Sequence, residues 1–331
     1  MLSKKGEKMK KCLFILFALL TINFAFAGEC VNFSEVKFVF ADKAKGSELL
    51  KTEDHFTESL SEFDMSARLK TSKKVSKKEY LNFISQQALD WDAMEELYLK
   101  VAFTEIGDLF KKYKILLPKE IYLLKTTGVE EGNSAYCRNK NIIVIPQKMI
   151  RLDNLYAMEA ILIHEIFHIF SSNNPDVKEK LYNSIGFYKT KDLVFPESLA
   201  KTYKITNPDS IDNNYYFEST IDGNKEKVMP ILLAKEYYDE KKGGDFFDYL
   251  SLAFCCIEEN DNNSQMKFVD GEYHIYSAKY VPNYFTLIGE NTDYIIHPEE
   301  VLADNFVLMV TNSKNIKTKS IIANMKNILK R

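Results

Sequence analysis

Residues 164–168 read HEIFH, within the apolar run LYAMEAILIHEIFHIF. Two histidines and a glutamate in such a segment carry a free-energy cost unless something binds or pairs them. In a helix, residues four apart share a face, so His164 and His168 would project side by side. Their neutral nitrogens could then reach one zinc ion at about 2.0 Å. Glu165 lies roughly 100° further round the helix. It cannot easily bind the same ion, but it can reach a water held there and take its proton. Zinc would make that water a nucleophile and polarise a scissile carbonyl. This division of labour is what H-E-x-x-H encodes on a helix. The chain has only five histidines, so a chance match is rare.

Two ligands are too few, because catalytic zinc usually has three and keeps one position for water. The metzincin continuation fails, since Ser171 stands for its glycine and Asn174 for its third histidine. A better source is HPEEVLADNF at 297–306, where Glu300, Ala303, Asp304 and Phe306 are spaced E-x-x-A-D-x-F. With that run the chain resembles the gluzincin zinc metallopeptidases. The resemblance implies that Glu300 is the third ligand and that Asp304 orients His164 or His168 from behind. The fuller series KTTGVEEGNSAYCRN, HEIFHIFSSNNP, ITNPD and YIIHPEEVLADNF is also similar to an uncharacterised group of exported bacterial proteins taken to be metallopeptidases. One departure is that Glu300 follows His168 by more than a hundred residues, far more than in the compact gluzincins. Adjacent Glu299 has a sufficient structural explanation as an acid in a helix first turn. The expectation is that Glu300→Ala loses zinc while Glu299→Ala changes little.

A peptidase also needs a donor for the oxyanion of the tetrahedral intermediate. The stretch GEYHIYSAKYVPNYF offers His274 and Tyr280 as first choices, with Tyr273, Tyr276 and Tyr284 beside them. Each tyrosine has core packing as its competing explanation. His297 is expected to cap the helix that carries Glu300. Glu131 in GVEEGN resembles only in part the G-x-M-E-N loop with which gluzincin aminopeptidases hold a free amine. The methionine and adjacent asparagine are missing, and a turn between strands explains the segment. TNPD, with Asn207 and Asp209, reads as an Asx-type turn in preference to a calcium site.

Elements must position these residues. Residues 1–27 have a basic start, an apolar stretch and Ala25-Phe26-Ala27, the layout of a cleavable secretory signal. The chain is therefore expected to be exported, periplasmic or secreted, with no stable membrane span afterwards. The remaining cysteines, Cys30, Cys137, Cys255 and Cys256, are too few for a disulfide framework, although Cys30 could pair with Cys137. A formal net charge of −3 in 331 residues gives no reason to expect nucleic acid.

From residue 28 onward the chain reads as one α+β, zincin-like unit in three zones. Residues 28–118 are mostly helical after an initial strand. Residues 119–172 hold strands in EIYLLKTTG and NIIVIP and then the HEIFH helix. Residues 173–331 form a lobe with strands in MPILLAKEYY, YLSLAFCCIEE and YHIYSAKYV, and a last clear helix starting at Pro298. The functional expectation is an exported zinc peptidase acting on a peptide or protein substrate. Two alternatives stay open: a binding module with structural zinc, and a zinc hydrolase of another amide or ester.

Overall fold

The computed structural model describes residues 30–330. Its first half runs β1 (Cys30–Asn32), β2 (Lys37–Phe40), α1 (Lys43–Lys51), α2 (His55–Glu58), α3 (Glu62–Arg68) and α4 (Lys77–Ser85). β3 (Ala88–Leu89), α5 (Ala93–Phe110), β4 (Leu116–Pro118), β5 (Glu120–Thr126), β6 (Tyr136–Arg138) and β7 (Ile142–Pro146) follow, and then the HEIFH helix, α6 (Leu155–Asn173). Strands β2, β5 and β7 pair in parallel, and β6 closes the edge antiparallel to β7, in the order β2-β5-β7-β6. Helices run through the expected helical zone from Lys43 to Phe110, and the expected initial strand divides into β1 and β2, of which β2 joins this sheet.

Parallel strands covered on both faces read as nearly continuous apolar runs, and IIVIP in β7 is buried at all five positions. Alternation along the strands divides the load. Leu124, Ile142 and Val144 pack with Leu50, Tyr80 and Ile84 of α1 and α4. Ile121, Leu123, Ile143 and Ile145 pack with Leu162, Ile163 and Ile166 of α6. The sheet thus supplies the wall against which the metal-motif helix lies.

The chain continues with α7 (Pro175–Ser184), β8 (Tyr188–Lys189), β9 (Leu193–Val194), α8 (Glu197–Thr202), β10 (Tyr215–Ile221), β11 (Asn224–Ala234), α9 (Phe246–Tyr249), β12 (Leu250–Glu259) and β13 (Ser264–Met266). It ends with the hairpin β14 (Phe268–Val269) and β15 (Glu272–Tyr273), then β16 (Ile275–Ser277), α10 (Asn283–Ile288), α11 (Pro298–Val310) and α12 (Lys319–Leu329). A second, mainly antiparallel sheet is ordered β8-β10-β11-β12-β13-β9, with β16 also on β12. Strand β10 of this sheet and the final helix α12 are among the elements not expected from the sequence. Strand β10 turns into β11 at Asp222-Gly223, both at positive φ (49° and 82°), the Asp-Gly signal of a tight hairpin. The final helix α12 buries Ile321, Ile322, Met325 and Leu329, one apolar face of an amphipathic segment.

Helix α11 starts as expected. Pro298 takes the first helical position, and His297 caps it by accepting the Glu299 N–H at Nδ1, 3.1 Å. Its face Val301, Leu302, Ala303, Phe306 and Met309 is fully buried. Ala303, with only a methyl group, lies in the core that α11 shares with α6. That core takes in Leu99, Ile143, Ile166, Phe217, Phe306 and Leu329, so residues from all three zones contribute to it. No helix among the described residues is long and apolar enough to cross a membrane. The predicted signal at 1–27 lies outside the described residues.

Candidate metal centre

The i, i+4 spacing on α6 sets the His164 and His168 rings 4.7 Å apart. Helix α11 brings Glu300 to both: its Oε2 lies 3.1 Å from His164 Nε2 and 3.4 Å from His168 Nε2. Two ligand atoms at about 2.0 Å from one ion and at the tetrahedral angle stand roughly 3.3 Å apart, so these spacings suit a shared zinc. The His168 Nε2 atom is buried without a hydrogen-bond partner. Such an orphan costs free energy unless something completes it. The donor set of two imidazoles and one carboxylate therefore fits a divalent zinc-type ion. The structure brings together the three residues that the sequence nominated.

Each histidine is braced from behind by a carboxylate. Asp304 Oδ1 lies 2.9 Å from His164 Nδ1, and the Thr292 hydroxyl donates to Asp304 Oδ2. The second brace corrects the expectation for Glu299, which is fully buried and faces His168 Nδ1 at 3.4 Å. Glu299 also accepts from the Ser171 hydroxyl and from Tyr182 OH at 2.6 Å, and pairs with Lys178 at 3.2 Å. Burial works against its charge, yet Lys178 and His168 hold its carboxyl down at about 2. Burial likewise opposes a charged His164, but Asp304 and Glu300 raise that imidazole to about 10. A metal ion would replace the proton these acids favour.

Glu165 is buried beside the pair, and its Oε2 accepts the Cys137 thiol at 3.2 Å. Burial pushes its carboxyl above the usual range against the pull of His168 and His164, toward a better proton acceptor. Cys137 is a free buried thiol, so the Cys30–Cys137 bridge is not formed. Cys137, Glu165 and Asp209 make a second close group of possible ligand atoms. Burial raises that thiol well above its ordinary range, which keeps it a neutral donor to Glu165.

The TNPD segment forms the expected turn, with the Asp209 N–H donating to Asn207 Oδ1 at 3.0 Å. Its location was not foreseen. Asn207 Nδ2 donates to Glu300 Oε1 at 2.6 Å, and Asp209 Oδ1 accepts the Cys137 N–H at 2.7 Å. Both residues are thus part of the centre. So is Tyr294, whose ring lies 6.3 Å from that of His164. Tyr294 is 38% exposed, and partial desolvation, then Glu300, Asp209 and Glu165, raise its phenol above the ordinary range, so it remains a hydrogen donor. An apolar recess beside Asn207, Asp209 and Tyr294 is walled by Tyr136, Ile205, Phe246, Phe247 and Leu250.

The earlier oxyanion candidates are placed differently. His274 Nδ1 meets Tyr276 OH at 3.4 Å, and its carbonyl accepts from Cys256 N–H. Tyr280 is 55% exposed and lies near Tyr276 and Lys279. Tyr284 is a core residue donating to the Ile295 carbonyl at 2.6 Å. These partners are not members of the triad, and Tyr294 takes the position beside it. Glu131 is also spoken for: Arg68 grips its two oxygens at 2.7 and 2.5 Å, which leaves neither for a substrate amine.

No protein-family model matches the chain, and no curated protein or solved structure is significantly similar to it.

Proposed function

We propose that this chain is an exported zinc-dependent peptidase. The observation that carries the reading is the meeting of His164 Nε2, the unpartnered His168 Nε2 and Glu300 Oε2 next to buried Glu165. His164, His168 and Glu300 would hold the ion. When bound, zinc supplies a Lewis acid that polarises the scissile carbonyl and acidifies a water. Glu165, raised in basicity by burial, accepts the proton of that water and passes it toward the leaving amine. The Tyr294 hydroxyl donates to the oxygen that gains negative charge. Asp304 and Glu299 fix the ring orientations and tautomers of the two histidines. The recess beside Tyr294 gives an apolar side chain of the substrate a place to rest. A purely structural zinc would have no use for a base at Glu165, which favours an enzyme over a binding module.

The test is Glu165→Gln, which preserves shape and removes the basic oxygen. The mature protein is incubated with a diverse peptide mixture and the products are read by mass spectrometry, with and without a zinc chelator. The expected outcome is cleavage that the chelator abolishes and that the variant loses by at least about a hundredfold, with zinc content unchanged. Near-normal turnover by the zinc-loaded variant would assign the chemistry elsewhere.

A further inference from the structure

The two oxygens of Glu300 have different surroundings. Oε2 faces both histidine Nε2 atoms, whereas Oε1 accepts Asn207 Nδ2 at 2.6 Å. We propose that Asn207 is a positioning residue that makes Glu300 a one-oxygen ligand, by holding the second oxygen away from the ion. The inference rests on the metal reading above. It matters because a carboxylate that binds through both oxygens fills the position a water needs.

The loop at 205–210 is built to hold Asn207 still. On its leading side the Thr206 N–H donates to both Asp64 oxygens at 3.1 Å, and Arg68 Nη2 donates to the Thr206 carbonyl at 3.3 Å. The Thr206 hydroxyl donates to the Ser59 carbonyl at 2.9 Å, and the Ile205 N–H to that of Leu232 at 2.9 Å. Arg68 and Asp64 are themselves fully buried. On the trailing side Asp209 is tied to the Cys137 N–H at 2.7 Å and Ser210 to His297 Nε2 at 3.3 Å. Pro208 between them restricts the backbone further. Asn207 Oδ1 closes the turn on the Asp209 N–H, which fixes the amide orientation and leaves Nδ2 to donate. A loop needing only a turn would not require a donor against a buried carboxylate. Ser or Asp would serve the turn equally well.

The test compares wild-type protein with Asn207→Ala and Asn207→Ser after metal removal. Serine keeps an acceptor for the Asp209 N–H but cannot reach Glu300, so it guards against a variant that simply misfolds. Zinc(II) affinity is measured by competition with a chromophoric chelator, and cobalt(II) is added as a probe of coordination number through its visible absorption. Both variants should bind zinc roughly 10–100-fold more weakly, and cobalt absorption should fall as the freed oxygen joins the ion. A merely structural role would leave the cobalt spectrum of folded Asn207→Ser unchanged. Wild-type affinity and spectrum in both variants overturn the inference while the metal reading stands. Wild-type protein that takes up no zinc, and behaves like His164→Ala, overturns the metal reading itself and this inference with it.

Discussion

Two buried charge clusters lie at opposite ends of one short loop, and they are finished to different degrees. Around Arg68, every charged partner is matched. The guanidinium binds both oxygens of Glu131 and Oδ1 of Asp64, and lies 4.6 Å from the centre of the Phe246 ring. Around His164 and His168, the carboxylates behind the rings are equally well held, yet Nε2 of His168 is left without a hydrogen-bond partner. Buried charge that closes on itself supports structure; on the proposed reading, the open imidazole nitrogen near His164, Glu165 and Glu300 is where a metal ion would be held. The gap at His168 does not stand alone among the described residues, since both Glu130 oxygens are also buried without a partner. What distinguishes it is its place 3.4 Å from Glu300 and beside His164.

Stability against metal uptake gives the largest test of that contrast. Arg68→Ala leaves Glu131 and Asp64 buried without their cation, and should cost about 3–5 kcal/mol of folding stability. His168→Ala also takes a positive charge from the metal-free protein, because against burial Asp209, Glu300 and Glu299 raise that imidazole well above its ordinary range. What sets it apart is that it should abolish the rise in melting temperature expected on adding zinc, which Arg68→Ala should leave in place. Thermal melts of both variants, with and without zinc, read the two effects separately. If Arg68→Ala melts like wild type, the closed cluster is not the anchor it is argued to be.

A smaller effect distinguishes the two braces. Asp304 and Glu299 stand behind different histidines, so each substitution to Ala should weaken zinc binding roughly 10–100-fold. Glu299→Ala should carry an added stability loss, because Lys178 and Tyr182 lose their buried partner. Competition titration with a chelator decides this. A Glu299→Ala protein with unchanged zinc affinity would return that residue to the dipole role the sequence suggested.

That reversal shows what was legible in the sequence. His164, Glu165 and His168 could be named because H-E-x-x-H spacing on a helix fixes which of them share a face, whereas Glu300 and Asp304 were named through the resemblance of E-x-x-A-D-x-F to the gluzincin helix. The strands of the first sheet were legible as apolar runs between turn residues. Glu299 was misread because its first-turn position offers a local explanation, and its real partners come from α6 and α7. Asn207, Asp209 and Cys137 reach the centre through loop and edge-strand contacts that no local periodicity encodes. Tyr294 could have been flagged by its place just ahead of the ligand helix, closer to it than His274 or Tyr280. The β10–β11 hairpin carried an Asp-Gly signal inside a segment whose polarity suggested irregular structure.

The smallest expected effect concerns His297, which joins the two clusters' loop to the ligand helix. Its Nδ1 accepts the Glu299 N–H and so must be unprotonated to cap α11. Burial, with Lys178 nearby, lowers its imidazole from the ordinary 6.5 to about 4. A folded-state value below the unfolded one means the unfolded chain binds more protons between those limits. The contribution is therefore fully present above pH 6.5 and is lost as pH falls toward 4. His297→Asn keeps a capping acceptor that does not titrate. Its stability relative to wild type should accordingly improve as pH drops from about 6.5 to 4, whereas His297→Ala should be weaker by about 0.5–2 kcal/mol at neutral pH. Chemical denaturation of the three metal-free proteins across that range measures the difference, and the comparison cancels titrations elsewhere in the centre. Parallel curves for wild type and His297→Asn would mean that the cap stays intact on protonation. The Nε2–H of His297, which donates to the Ser210 hydroxyl in either protonation state, would then be the contact that holds the helix start in place.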